Sequence, residues 1–404
     1  MHILILKNII TKISIKVWGL LLVFWCGYVH SQELSLLDVN VGLKLKSESS
    51  LDFYQIASSS THEIDSCTQA MTNDPPPEES TSAEMAELGD STYSGRHRIC
   101  KPYKFFERSP TLNKPRIGMI TGTIGGLYLG LNFWWSKAWY SNYERSKFHL
   151  FNDSREWNQL DKVGHSYSAY LETTLGSNMF KWAGMKPKKA AWLAFGTAQM
   201  WQMAIEMQDA FSAKWGFSLA DVGFNLAGSG WNIWQEYAFG EQRIWLKESA
   251  WPTKYPDSLQ TRANALFGSS FAEGILKDYN STTFWLSASI GSFIKKPDSK
   301  FPKWINVAFG YGAQDMYGGF ENKWCIDGDV DEPIENCPPE NIVDRSDIER
   351  IRQFYLSADI DWTRIPTKSK GLKTFFSIIN MIKIPFPAVE FNTARQVRWH
   401  WLMF

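Results

Sequence analysis

The chain has 404 residues, with 42 Lys+Arg, 42 Asp+Glu and 20 tryptophans. A formal net charge of zero lacks the basic excess with which nucleic-acid-binding proteins follow phosphates, so we expect no nucleic-acid partner. Tryptophan and tyrosine join an apolar body to a polar group, and they are frequent at membrane interfaces and in aromatic-lined clefts.

Residues 1–31 have the pattern of a secretion signal. Three lysines flank or precede an apolar stretch over residues 17–25, and Val29 and Ser31 fit the small-residue positions before a signal-peptidase cut. An uncleaved anchor helix is the alternative. The sequence therefore predicts an exported protein of the cell envelope, in the outer membrane or the periplasm and associated with a membrane.

Four cysteines follow the predicted signal, and an even number in an exported chain fits disulfides. Each natural pair brackets an irregular segment, so we predict the local pairs Cys67–Cys100 and Cys325–Cys337. Residues 32–108 are predicted to be an N-terminal extension. It contains a flexible insertion rich in Pro, Ser and Glu that has no packed core.

The remaining chain predicts an α+β fold. We expect a bundle of four or more helices over 109–250, followed by an antiparallel β-sheet in a strand-rich region over 251–404. Residues 117–135 carry no formal charge and are long enough to cross a bilayer as a helix. They predict either a membrane-embedded or membrane-contacting helix, or a buried helix of the bundle whose regularly spaced glycines allow close packing.

Several segments of the last third are rich in β-branched and aromatic residues and predict strands. They are 284–294, 304–313, 354–365 and 389–404. In the third, an apolar row through Leu356 and Ala358 alternates with a polar row through Ser357 and Asp359. Such strands could pack on the helices or form part of an outer-membrane-type sheet, and we favour the first arrangement. An acidic loop is expected over 323–350.

Polar residues recur at helical spacing in three segments of the predicted bundle. The sets are Asp161, His165, Ser168 and Glu172; Gln199, Gln202, Glu206 and Asp209; and Asp221, Asn225, Gly228 and Asn232. Each set falls on one face of a helix whose remaining circumference is largely apolar. Because this inverts the usual surface helix, we predict that the three polar stripes face one another inside the bundle.

A histidine among carboxylates can act as a base, an acid or a metal ligand. We predict catalytic candidates in His165, Asp161 and Glu206, with His165 as general base oriented by Asp161. A hard divalent cation is the candidate cofactor, since a single histidine disfavours zinc. A buried network of paired charges is the alternative. Lys162 is expected to point elsewhere on its helix, where it could pair with a neighbouring carboxylate. The candidate ligand-binding residues are Glu172, Asp209, Asp221 and Asn225.

The segments WYSNYERSKFHLFNDSREWNQLDKVGHSYSAY and IEMQDAFSAKWGFSLADVGFNLAGSGWNIWQ resemble the domain-of-unknown-function family 2279, which includes YfiM-like predicted envelope proteins, in the long form typical of Bacteroidetes. The helices alone are more distantly similar to VanZ-like membrane proteins. Their DKxxH and DxxxNxxG patterns are matched at Asp161 and Asp221, but Asp209 stands where their ExxQ pattern expects glutamine. The resemblance implies a shared helical core and no assigned activity.

Together these observations predict a membrane-associated envelope protein whose polar bundle cavity binds a small ligand, a lipid headgroup or a cation. Membrane or envelope lipid is the expected partner. The alternative is a hydrolase or transferase that acts on a lipid-linked or cell-wall substrate through His165 and nearby carboxylates. An open pocket beside His165 would favour a site, whereas sealed and mutually satisfied charges would favour a structural network.

Overall fold

A computed structural model describes residues 103–135, 144–294, 301–326 and 337–404, together with the paired strands β1 (Tyr93–Ser94) and β2 (His97–Arg98). The chain divides into two compact units, Met1–Phe105 and Phe106–Phe404. The predicted signal peptide at 1–31, the Cys67–Cys100 pair and most of the 32–108 extension lie outside the described residues.

Four long helices precede the main sheet. They are α1 (Lys114–Trp135), α2 (Leu160–Trp182), α3 (Pro187–Asp209) and α4 (Leu219–Phe239). Pro187 occupies the first turn of α3, where the missing N–H has no helical partner to lose. Ser218 caps α4 by accepting a hydrogen bond from the backbone N–H of Asp221 at 3.1 Å. Gly240 ends α4 in the left-handed conformation, with φ 69°.

Helix α2 lies at the centre of the bundle and packs against both α3 and α4. Small residues bring the three backbones close together. A Cβ atom on Gly228 of α4 would lie 1.9 Å from the carbonyl oxygen of Ser166 in α2. On the other side, a Cβ on Gly176 of α2 would lie 3.1 Å from the Cβ of Ala194 in α3. This proximity allows polar side chains of all three helices to meet.

Helix α1 covers one end of α2 and α3. Its isoleucines Ile117, Ile120 and Ile124 pack in a cluster with Phe180 and Ala194. The regularly spaced glycines of α1 face open space, with no atom within 4 Å of a Cβ built on any of them. No helix within the described ranges is long and apolar enough to cross a membrane.

A six-stranded antiparallel sheet follows, in the order β10-β9-β8-β5-β4-β3. Its strands are β3 (Ile244–Ala250), β4 (Thr282–Ser289), β5 (Ile305–Gln314), β8 (Ile351–Ile360), β9 (Phe386–Asn392) and β10 (Val397–Met403). The α+β prediction, helices first and an antiparallel sheet after, is therefore confirmed. Strand β3 begins inside the range 109–250 expected to be helical, and the last predicted strand, 389–404, is two strands.

Shorter elements connect these strands. They are α5 (Asp257–Phe267), α6 (Phe271–Leu276), α7 (Ile290–Phe293), β6 (Lys323–Cys325), β7 (Ile342–Asp344) and α8 (Lys370–Ile379). Strands β6 and β7 pair with each other within the predicted acidic loop. The predicted Cys325–Cys337 disulfide is confirmed, with an S–S distance of 2.05 Å.

The main sheet buries its polar face and exposes much of its apolar face. Lys247 and Asp359 are both fully buried and form an ion pair at 2.7 Å, whereas Phe309 on the opposite face is 58% exposed. Helix α2 covers the part of the apolar face around Phe284, against which Tyr167 packs with ring centroids 5.7 Å apart. The sheet thus buries polar side chains and exposes apolar ones, as the sequence predicts for the helices.

The close approach of α2 and α4 predicts a large difference between two glycines of α4. Gly228→Ala should destabilise the protein by about 1–3 kcal/mol, because the new methyl group overlaps the α2 backbone. Gly230→Ala is the control. Its Cβ meets nothing within 4 Å, and alanine favours the helix by up to about 1 kcal/mol. Denaturant unfolding of both variants checks this, and equal free energies of unfolding would contradict it.

Candidate functional site

The buried ammonium group of Lys162 is the centre of the polar core. Its Nζ atom lies 2.7 Å from Asp153, 2.8 Å from Asp161 and 2.6 Å from Asp221, and the side chain has no solvent exposure. Burial opposes the charged amine, but Asp161 and Asp221 outweigh it and raise the pKa of Lys162 above its usual value. Lys162 therefore acts as an internal cation that ties α2 to α4 and to the segment before α2.

The carboxylates around Lys162 are held by further hydrogen bonds. The Ser218 hydroxyl that caps α4 also donates to Asp153 at 2.5 Å. The Tyr279 hydroxyl donates to Asp161 Oδ1 at 2.7 Å. Tyr279 begins the short 3-10 turn Tyr279–Ser281 that leads into β4. The sheet region and the helices therefore both fix the position of the Asp161 carboxylate.

His165 lies beside this group, one helical turn after Asp161. Its Nδ1 atom is 3.2 Å from Asn225 Oδ1. Its Nε2 atom is 3.9 Å from Asp161 Oδ1 and 3.6 Å from Asp221 Oδ1. With the Asn225 oxygen accepting from Nδ1–H, the ring presents Nε2 to the two carboxylates. The His165 and Asp161 side chains are each 19% exposed, so they connect the cluster to its surface.

Burial and neighbouring charges shift the pKa values of several groups in this cluster. Burial disfavours a charged His165, but Asp161, Asp221 and Glu206 outweigh it and raise the pKa of His165. Burial raises the pKa of Asp221 to about 7, with a further contribution from Asp161. Burial also opposes ionisation of Asp161, yet His165 and Lys162 hold the pKa of Asp161 below its usual value.

Burial favours the neutral form of two glutamates beside the cluster. Burial raises the pKa of Glu206 and that of Glu172 to about 8 each. Glu206 Oε1 is 3.9 Å from His165 Nδ1, and Glu172 Oε1 accepts a hydrogen bond from Gln202 at 2.8 Å. Asp209, one turn after Glu206 at the end of α3, adds to the upward shift of the Glu206 pKa.

The structure brings most of the predicted site residues together, and their chemical roles stay predictions. The residues in one cluster are Asp161, His165, Glu206, Asp221 and Asn225. Glu172 and Asp209 lie at its edges. The predicted pairing of Lys162 with a neighbouring carboxylate is confirmed, but the expectation that Lys162 points elsewhere on its helix is wrong, because its long side chain reaches into the cluster.

Two partners of the cluster, Asp153 and Tyr279, are not among the predicted site residues. Asp153 lies in the irregular segment before α2, so it belongs to none of the periodic stripes, and its sequence context indicates a turn or a helix cap. Tyr279 belongs to the segment 277–287, whose sequence predicts a turn into a strand with a binding loop as the alternative, and the turn is present. Nothing in the periodicity places its hydroxyl group on Asp161, 118 residues away.

Asp161, His165 and Asp221 could hold a cation. One ligand atom from each residue lies within 4.8 Å of the others. The Nε2–oxygen distances of 3.9 and 3.6 Å are too long for hydrogen bonds. Ligands that share one small divalent cation are separated by about 3–4 Å, given metal–ligand bonds near 2.0–2.4 Å. The three ligand atoms are therefore close enough together to share one cation.

The fold and this buried charge cluster define a class of protein with a polar helical core and exposed apolar side chains on α3 and on one face of the sheet. Residues 150–236 match the family described as predicted periplasmic lipoprotein (DUF2279). The match spans α2 to most of α4, so the resemblance seen in the sequence is confirmed over the helices that build the site. The description also confirms an exported cell-envelope protein. No curated protein and no solved structure matches the chain.

Removing the internal cation should cost more stability than removing a surface cation. Lys162→Met leaves three carboxylates around an apolar side chain, and we expect a loss of about 3–5 kcal/mol. Lys277→Met is the control, since the Lys277–Glu273 pair is 33% and 42% exposed and such pairs contribute about 0–1 kcal/mol. Denaturant unfolding measures both losses, and a Lys162 variant as stable as the control would contradict the assignment.

Glu206 should make stability depend on pH. Its pKa rises from 4.5 to about 8 on folding, so the folded state binds the proton more tightly than the unfolded chain does. The resulting stabilisation is complete below about pH 4.5 and is lost as the pH rises through about 8. Glu206→Gln, which cannot ionise, should show a smaller loss of unfolding free energy over this range. Equal slopes for the wild type and Glu206→Gln would refute the prediction.

Proposed function

We propose that this envelope protein is membrane-associated and binds a hard divalent cation in its polar helical core through Asp161, His165 and Asp221. The orientation of His165 Nε2 toward both carboxylates, at 3.9 and 3.6 Å, carries the proposal. Carboxylate oxygens with one imidazole suit Mn²⁺ or Mg²⁺, which bind mainly oxygen ligands and retain water. The hydrolase or transferase alternative stays a prediction.

The charge of the cluster supports this proposal. In their ionised forms Asp153, Asp161 and Asp221 carry three negative charges, and Lys162 neutralises one of them. Two charges remain uncompensated in a largely buried place, which is costly. The raised pKa values of His165 and Asp221 indicate that protons supply this compensation when no metal is bound. A divalent cation would provide the same two charges at the same atoms.

The neighbouring residues support the role of a preformed site. Asn225 fixes the ring orientation of His165, and Tyr279 holds the Asp161 carboxylate, as partners of metal ligands commonly do. Lys162 fixes Asp161 through Oδ2 and Asp221 through Oδ1, the same Asp221 oxygen that faces His165. Its positive charge also weakens the attraction of the site for metal, so we infer a site of moderate affinity that exchanges its cation.

The exterior of α3 supports membrane association. Four residues on its outer side are large, apolar and exposed: Trp192 at 52%, Met200 at 54%, Met203 at 38% and Met207 at 41%. On the inner side, Gln202 and Glu206 are 3% and 1% exposed. Contiguous exposed apolar residues on a monomer mark binding surfaces. An envelope protein lies close to a lipid membrane, whose apolar interior can cover such a surface.

Manganese binding tests the cation site. The purified full-length chain should bind about one Mn²⁺, measured by the fall in the signal of free Mn²⁺ in electron paramagnetic resonance. His165→Gln and Asp221→Asn should each weaken binding by about tenfold or more, through loss of a ligand. His149→Gln is the matched control, because His149 lies outside the cluster and bonds to Ser146. Unchanged affinity in both ligand variants, with folding intact, would exclude the site.

A further inference from the structure

We propose that the outer sheet face contacts the hydrocarbon of a lipid bilayer. This face consists of the outward apolar side chains of strands β4, β5, β8, β9 and β10. They are Leu286, Phe309, Phe354, Leu356, Val389, Phe391, Val397 and Trp399. The proposal rests on the membrane association proposed above and assigns it to a second surface. That surface lies on the sheet, apart from the outer side of α3.

The face is continuous because its members are cross-strand partners. One row runs from Leu286 through Phe309 and Leu356 to Val389 and Trp399 on successive strands. Five strands spaced by about 4.8 Å make this row roughly 19 Å wide. A second row lies beside it, and both rows consist of exposed or half-buried apolar side chains. The pairs of this second row are Tyr311–Phe354, Phe354–Phe391 and Phe391–Val397.

Exposure along these rows is high. Phe309 is 58% exposed, Phe391 49% and Trp399 54%. Every row member named above is uncharged, and hydrogen-bonding side-chain groups occur only on Tyr311 and Trp399, near the margins. In water such a surface would be costly, at about 25 cal/mol for each Å² of apolar area left exposed. An apolar phase against this face removes that cost.

The opposite face of the sheet is polar and largely buried. Lys247 donates to the Ile360 carbonyl at 2.8 Å and pairs with Asp359 at 2.7 Å. Glu390, fully buried, is 2.7 Å from His400 Nε2. The sheet therefore satisfies its charged groups among themselves and turns its phenylalanines outward. This arrangement is unfavourable for a water-facing sheet, and it is the favourable one when the outer medium is apolar.

Helix α3 also buries polar side chains and exposes apolar ones, and this favours lipid over a protein partner. A protein partner would cover one patch, whereas α3 and the sheet both expose apolar side chains and bury polar ones. Protein interfaces also carry about one hydrogen bond for each 100–200 Å², and the side chains of these rows offer almost no groups for them. Trp399 at the margin fits the preference of tryptophan for the membrane–water boundary.

Vesicle binding by surface variants tests the proposal. Full-length protein is mixed with phosphatidylethanolamine–phosphatidylglycerol vesicles, and the bound fraction is measured by flotation. Phe309→Ser should lower the partition coefficient by about tenfold or more, and Phe309→Leu should restore most of it. Ile326→Ser is the matched control, because Ile326 is 63% exposed and lies beside the Cys325–Cys337 disulfide. Its partition coefficient should equal that of the wild type.

The outcomes separate this inference from the membrane association itself. If the wild-type protein does not bind vesicles, both ideas fail. If the wild type binds and Phe309→Ser binds equally well, the sheet assignment alone is overturned. An equal loss in Phe309→Ser and Ile326→Ser also overturns it, since the effect would not be specific to the outer sheet face. If Phe309→Ser instead converts a dimer to a monomer without lipid, a second copy covers this face and the lipid proposal is wrong.

Discussion

The compensation of Lys162 by three carboxylates is the interaction on which the helical core depends. One ammonium group joins Asp153 before α2, Asp161 in α2 and Asp221 in α4. A buried charge left without partners is strongly unfavourable, so these segments are held in one relative arrangement. The close contact of Gly228 with the α2 backbone brings the helices near enough for the interaction. The position of His165 then follows, because it lies one turn from Asp161 and opposite Asn225.

The second constraint is the distribution of polar and apolar side chains, which is the same in the helices and in the main sheet. In the helices, Glu206 and Asp221 face inward while Met200 faces outward; in the sheet, Lys247 faces inward while Phe309 faces outward. Placing charges inside makes each of them depend on a partner or on protonation, which explains the perturbed pKa values around His165. The same distribution leaves an apolar exterior suited to lipid. The burial of polar side chains thus accounts for the perturbed pKa values of the core, and the exposure of apolar ones accounts for the proposed location of the protein at a membrane.

Much of the core could be predicted because helical periodicity places Asp161 and His165 on one face of one helix and Asp221 on one face of another, and the apolar remainder of both helices indicates that these faces point inward. The Cys325–Cys337 pair followed from its short separation, and the strands from their β-branched and aromatic residues. Periodicity carries no information on contacts between distant segments, so the Tyr279–Asp161 hydrogen bond could not be foreseen. The reach of the Lys162 side chain across its helix was missed because helix position alone ignores side-chain length. The burial of the polar face of β8 was also hidden, since alternation shows two faces without showing which one is covered.

The most direct test of the central claim is a spectroscopic measurement of the ligands of bound Mn²⁺. Electron spin-echo envelope modulation should show one directly bound histidine nitrogen, and the coupling should change when histidine is labelled with ¹⁵N and disappear in His165→Gln. This result would place the cation at His165 Nε2, between Asp161 and Asp221. Bound Mn²⁺ without nitrogen coupling, or a coupling that persists in His165→Gln, would contradict the account and leave the cluster as a network of paired charges.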